Sequence, residues 1–91
     1  MSRFVHLLMN PAALDDCLVL AGPEELVILA DAGVALLADA AALASLADRP
    51  VAAVAADARA RGVADTAGVP LLEDSDWVEQ VIGAGQVLSW K

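Results

Sequence analysis

Cysteine and histidine each occur once in this 91-residue chain, and basic residues only five times. One cysteine permits no internal disulfide. One histidine with scattered carboxylates does not make a metal site, so no metal is expected. The sequence has no GxGxxG turn and no Walker lysine. A Ser-His-Asp set can be drawn on paper from Ser45, Ser75 or Ser89, but none of these lies in a nucleophile-elbow context. Metal, nucleotide and hydrolase chemistry all lack their residues, and no cofactor is implied.

The few cations are also dispersed. Arg3, Arg49, Arg59, Arg61 and Lys91 form no linear cluster, and thirteen acidic residues bring the formal charge to −8. Nucleic-acid affinity rests largely on Lys and Arg neutralising phosphates, so direct nucleic-acid binding is not expected. Long apolar runs are missing too. The weakly polar stretch Val34 to Ala47 is mostly alanine and is broken by Asp39. It falls short of the roughly 18–20 apolar residues that span a bilayer. The opening MSRFVHLLMNP lacks the features of a secretory leader. The expectation is a cytoplasmic protein with no membrane segment.

What the chain does have is apolar content: 59% hydrophobic residues and a mean hydropathy of +0.66. A length of 91 residues fits one domain, residues 1–91, with one core. Such a domain buries only about 60–65% of its unfolded surface by itself. Another subunit is therefore expected to cover part of the remainder, which makes the chain an obligate oligomer.

Short apolar runs alternate with helix-like stretches. Arg3 to Met9 reads as a strand buried on both faces. Asn10-Pro11 reads as a helix cap and first turn, and Gly22-Pro23 as the helix stop near Ala21. Leu26 to Ala30 is the second strand. Asp31 is expected to cap a helix running through Val34, Leu37, Leu43 and Leu46 toward Asp48, broken by Arg49-Pro50. Val51 to Ala56 forms a third strand and Asp57 to Arg61 a helical turn closed by Gly62. Val69 to Leu72 is a short fourth strand. Asp76 and Glu79 have capping-box spacing for a last helix carrying Trp77, and Gln86 to Trp90 is a fifth strand. Alternation of this kind predicts an α/β fold: a small parallel sheet of about five strands flanked by helices on both faces. Functional groups on such sheets gather at the carboxyl ends of the strands, here near Asn10, Asp31, Asp57 and Asp74.

Cys17 is the first candidate for chemistry. Leu14, Cys17, Leu18 and Ala21 fall on one helical stripe, which places the thiol among apolar neighbours. Buried thiols are usually inert, and Asp15 and Asp16 are expected to raise the thiol pKa by repelling the thiolate. His6, inside the first strand, reads as a core or interface histidine. Trp77 could anchor the core. Trp90 stands at a chain end, where large rings are rare, and suggests an interface.

The C-terminal segment LEDSDWVEQVIGAGQVLSW, Leu72 to Trp90, resembles the ending of TusB/DsrH proteins at Asp76, Trp77, Val78, Gln86 and Trp90. VAAVAADARARGV is similar to that family's strand, Asp and short helix ending in Ala-Arg-Gly, here Asp57, Ala60, Arg61 and Gly62. LVILADAGVALL resembles its strand-Asp-Gly-Val region, and Val5-His6 its Leu-His pair. Two departures stand out. Ala32 separates Asp31 from Gly33, and the family's Asn-basic-Ser-Pro turn is reduced to Met9-Asn10-Pro11.

The resemblance implies a DsrE/F/H-like fold and a cytoplasmic subunit of a sulfurtransferase complex relaying persulfide sulfur. The complex would be a heterohexamer with two homologous small subunits, TusC/DsrF-like and TusD/DsrE-like, and would meet upstream and downstream sulfur carriers. Its main catalytic cysteine would lie on the TusD/DsrE-like subunit, and the sulfur would end in the 2-thiouridine of wobble-position tRNA. The present chain would be mainly structural, with Trp90, Trp77 and His6 at interfaces. In the alternative, it is a DsrH-type subunit of dissimilatory sulfur oxidation, with Cys17 as an accessory persulfide carrier. The apolar stripe favours packing for Cys17, whereas the resemblance admits sulfur transfer. A stand-alone ligand-binding module is a third reading, but no residues for a phosphate are present.

Overall fold

The run FVHLL is apolar at almost every position, as a strand covered on both faces requires. In the computed structural model, which describes residues 4–91, it forms β1 (Phe4–Leu8). Arg3, the expected first residue of this strand, lies outside the described residues. β1 pairs in parallel with β2 (Leu26–Leu29) on one side and with β5 (Gln86–Trp90) on the other. β3 (Val51–Val54) follows β2, and β4 (Leu71–Leu72) ends that side. The order is β4-β3-β2-β1-β5, all parallel.

Side chains alternate between the two faces, so two apolar layers form. On one face Leu8, Val27, Leu29 and Ala53 pack beneath α1 (Leu14–Leu20), a 3₁₀ segment (Asp31–Ala38) and α2 (Ala40–Leu46). The short α3 (Ala55–Ala60) joins this layer against the 3₁₀ segment. On the other face Val5, Ile28, Ala30 and Val54 meet α4 (Asp74–Ile82) through Trp77, with Ala84 and Val87 alongside. The uneven cover follows from topology. Connections running steadily from β1 to β4 keep one hand and stay on one face, whereas the return from β4 to β5 reverses direction and crosses the opposite face. The second face is therefore roofed by one helix.

Several boundaries differ from the sequence reading, each for a local reason. Asn10 caps as expected, accepting from Ala12 N–H at 3.0 Å with Pro11 next, but the first turn is 3₁₀ (Pro11–Ala13) before α1 begins. Asp31 does not cap a helix. It sits at φ 50° after Ala30, and the expected long helix is split into the 3₁₀ segment and α2. Asp39 caps α2 instead, accepting from the N–H groups of Ala41 (3.0 Å) and Ala42 (3.2 Å). Ala55 and Ala56, read as strand, begin α3. Asp76 is not the cap of α4 either: Glu73 holds that position without a side-chain capping bond to the helix, and Asp74 and Asp76 sit in the first turn, near the positive end of the helix dipole.

The 3₁₀ segment owes its path to Gly33. A β-carbon there would collide with the carbonyl oxygen of Leu8, which also accepts the Ala30 N–H at 3.1 Å. Only glycine lets the chain leave β2 this close to the end of β1. We predict that Gly33→Ala lowers stability to urea by at least about 2 kcal/mol, as overpacking against an immobile backbone does. Gly62→Ala, with φ 70° but open space around it, should cost only about 1 kcal/mol. Equal costs at the two positions would remove the close-approach explanation.

Candidate functional site

α1 begins where β1 ends and runs back toward the amino ends of the strands. Leu14, Cys17 and Ala21 face the sheet and are buried. The Cys17 side chain is completely covered, at 0% exposure. Burial pushes its thiol up; Arg49 opposes this and Glu25 adds to it. The expected partners of that effect, Asp15 and Asp16, are exposed on the outer side of α1. The carboxylate that disfavours the thiolate is Glu25, which the sequence reading had not connected to it. A group so placed packs as a small hydrophobe and has little thiolate to offer.

Glu25 belongs to the turn between α1 and β2. Arg49 ties this turn down by donating from one Nη1 to the carbonyls of Ala21 (3.3 Å) and Gly22 (3.2 Å). The Glu25 carboxylate then reaches His6 on β1, with Oε1 2.7 Å from Nε2. The other ring nitrogen, Nδ1, lies 3.1 Å from Nε1 of Trp90. An indole N–H only donates, so Nδ1 must present its lone pair. The proton of the ring is thereby fixed on Nε2, which donates to Glu25. His6 is neutral in this arrangement and 1% exposed. Phe4, His6 and Trp90 also stack along the face, with centroids 6.2 Å apart at each step.

These contacts locate the residues expected at interfaces. His6 is inside the fold. Trp90 is half-buried, its indole tied inward to residue 6 by the β1–β5 pairing. Trp77 is half-buried under α4, and its indole nitrogen is covered without a hydrogen-bond partner. Large apolar side chains that do face outward are Val19 (83%) and Leu20 (66%) on α1, Val78 (39%) and Ile82 (77%) on α4, and Leu88 (40%) on β5.

The carboxyl ends of the strands hold ion pairs. Asp31 N–H donates to Asp57 Oδ2 (2.8 Å), and Arg61 donates to Asp31 Oδ1 (2.7 Å). Arg59 grips Glu73 through two bonds of 3.0 and 2.8 Å. Both pairs are exposed, where solvent screening leaves such contacts little net effect on stability. They brace the αL turn at Asp31 and the start of α4. Among the described residues no group of three His, Cys, Asp or Glu side chains could hold a metal, and no helix is long and apolar enough to cross a membrane.

The hydrogen bond from His6, with help from the Gly22 backbone, holds the Glu25 carboxyl below the usual carboxylate range. A carboxylate lowered on folding contributes stability above its unfolded pKa, near 4.3, and loses it as pH falls through the folded value. Glu25→Gln should therefore be less stable than wild type by about 1–2 kcal/mol at pH 7. The two should converge near pH 3 in urea melts. A constant difference across that range would contradict the assigned carboxylate bond.

The geometry thus joins His6, Glu25 and Trp90 in one network and leaves the Cys17 thiol buried between α1 and the sheet. Comparison with protein families shows a match to the family described as DsrH-like protein, over residues 8–87. A comparison with curated proteins found no match. Covering nearly the whole chain, the match to residues 8–87 shows that this protein belongs to the DsrH-like family, subunits of multi-subunit sulfur-relay complexes.

Proposed function

We propose that this chain is a structural subunit of a heterohexameric sulfurtransferase, present in two copies beside two copies each of TusC/DsrF-like and TusD/DsrE-like partners. Persulfide sulfur passes through the cysteine of the TusD/DsrE-like partner toward the 2-thiouridine of wobble-position tRNA. The observation that carries this reading is the burial of Cys17. A persulfide carrier needs an accessible thiolate, and this thiol has neither exposure nor a lowered pKa. The exposed Val19, Leu20, Ile82 and Leu88 are the kind of surface that partner subunits cover. The outer face of Trp90 and the lone roof α4, with Trp77 beneath it, lie on the same proposed contacts. His6 supports Trp90 from inside. The tRNA destination is the one that the resemblance to the TusB/DsrH family implies for many of its members.

The co-expressed complex tests this directly. Cys17→Ala should leave sulfur transfer within about twofold of wild type, and mass spectrometry after a persulfide donor should place added sulfur on a partner cysteine. Alanine is preferred to serine, because a buried hydroxyl without a partner costs about 1–3 kcal/mol by itself. Added sulfur on Cys17, with transfer lost in a folded Cys17→Ala complex, would establish the accessory-carrier alternative instead. Cells lacking the gene should lose wobble 2-thiouridine; retention of that nucleoside would redirect the pathway to sulfur oxidation.

A further inference from the structure

His6 makes two hydrogen bonds that depend on one protonation state. Its Nε2–H donates to Glu25 and its Nδ1 accepts from Trp90. At 1% exposure the ring is shielded from the solvent that would take over either role. We propose that His6 is a protonation-gated latch on the C-terminal strand: a second proton at Nδ1 faces the Trp90 N–H and expels the indole from its seat on β1.

The surroundings concentrate the effect on Trp90. Across the sheet His6 is flanked by Val27 of β2 and Leu88 of β5, both apolar. On the same face α1 carries Cys17 in the apolar layer, and the aspartates of that helix are exposed. The turn before β2 contributes Glu25, and the turn before β3 contributes Arg49, which is engaged with the carbonyls of Ala21 and Gly22. Glu25 is already a partner at Nε2 and remains one when the ring is charged. The Nδ1 side has only the indole. Two N–H groups 3.1 Å apart repel, and among the described residues neither atom has a second hydrogen-bond partner. Trp90 can turn outward, because it is half-buried at the open edge of the sheet. Its backbone carbonyl stays bonded to the Met9 N–H at 2.9 Å, so the change is a swing of the ring rather than loss of β5.

The consequence is an edge surface set by pH. With His6 neutral, the Trp90 ring is stacked inward and only part of it faces out. With His6 charged, the indole is added to the exposed Leu88 on that edge. The device is built from residues of this chain alone and does not depend on which sulfur pathway the complex serves.

A single histidine makes the test clean. In the Trp77→Phe background Trp90 is the only tryptophan, so its fluorescence reports the ring directly. Nitrogen-15 NMR of the imidazole at pH 8 should show the Nε2–H tautomer. On acidification, the His6 titration and a red shift with increased acrylamide quenching of Trp90 should share one midpoint. In Trp90→Phe, which keeps a ring but removes the donor, His6 should take up its second proton roughly threefold to tenfold more readily, the equivalent of one hydrogen bond. His6→Gln, if folded, should abolish the fluorescence step. An Nδ1–H tautomer at pH 8, a Trp90 signal flat across the His6 titration, or an unchanged titration in Trp90→Phe would each overturn the latch.

Discussion

The parallel pairing of β1 with strands on both sides is the constraint from which the remaining structure follows. β1 is the only strand that meets both the first crossover and the last strand of the chain. Because β5 must return to it from the far edge, α4 is drawn across the face that the other helices leave bare. The same pairing sets Trp90 opposite Leu8, diagonal to His6 on the same face, and gives the buried histidine its second partner. One topological fact thus produces a thinly roofed face, an apolar edge and a closed polar network inside the first layer.

Strand order also explains what could and could not be read along the chain. The Asn10-Pro11 cap, the stop at Gly22-Pro23 and the five apolar strands were legible, because each depends on neighbours a few residues away. The split of the second helix was not. It arises from Gly33 against the Leu8 carbonyl, a contact between elements, and from Asp39 acting as a cap within an alanine-rich run. The αL turn at Asp31 is held by Asp57 and Arg61, from 26 and 30 residues away. The link among His6, Glu25 and Trp90 was invisible for the same reason. A polar residue amid the apolar run of β1 and a tryptophan at the end of β5 were the signals, but joining them required knowing that β5 lies next to β1.

The burial of Cys17 separates family membership from chemistry. Sulfur relay requires a thiolate that a carrier protein can reach. In this subunit the thiol is sealed between α1 and the sheet, with a carboxylate among its neighbours. Its apolar content is instead displayed on α1, α4 and β5, away from the ion-paired carboxyl ends of the strands. In the proposed division of labour, the partner supplies the reacting sulfur and this chain supplies surface. The polar network beneath Trp90 then matters as a support for one of those surfaces.

The central claim is that the exposed apolar faces of this chain exist to be covered by other subunits. Sedimentation velocity at micromolar concentration measures this directly, with the chain alone and then with its two homologous partners. The account predicts self-association or aggregation of the isolated chain and one discrete hexameric boundary with the partners present. A stable, monodisperse monomer that does not shift on their addition would contradict it.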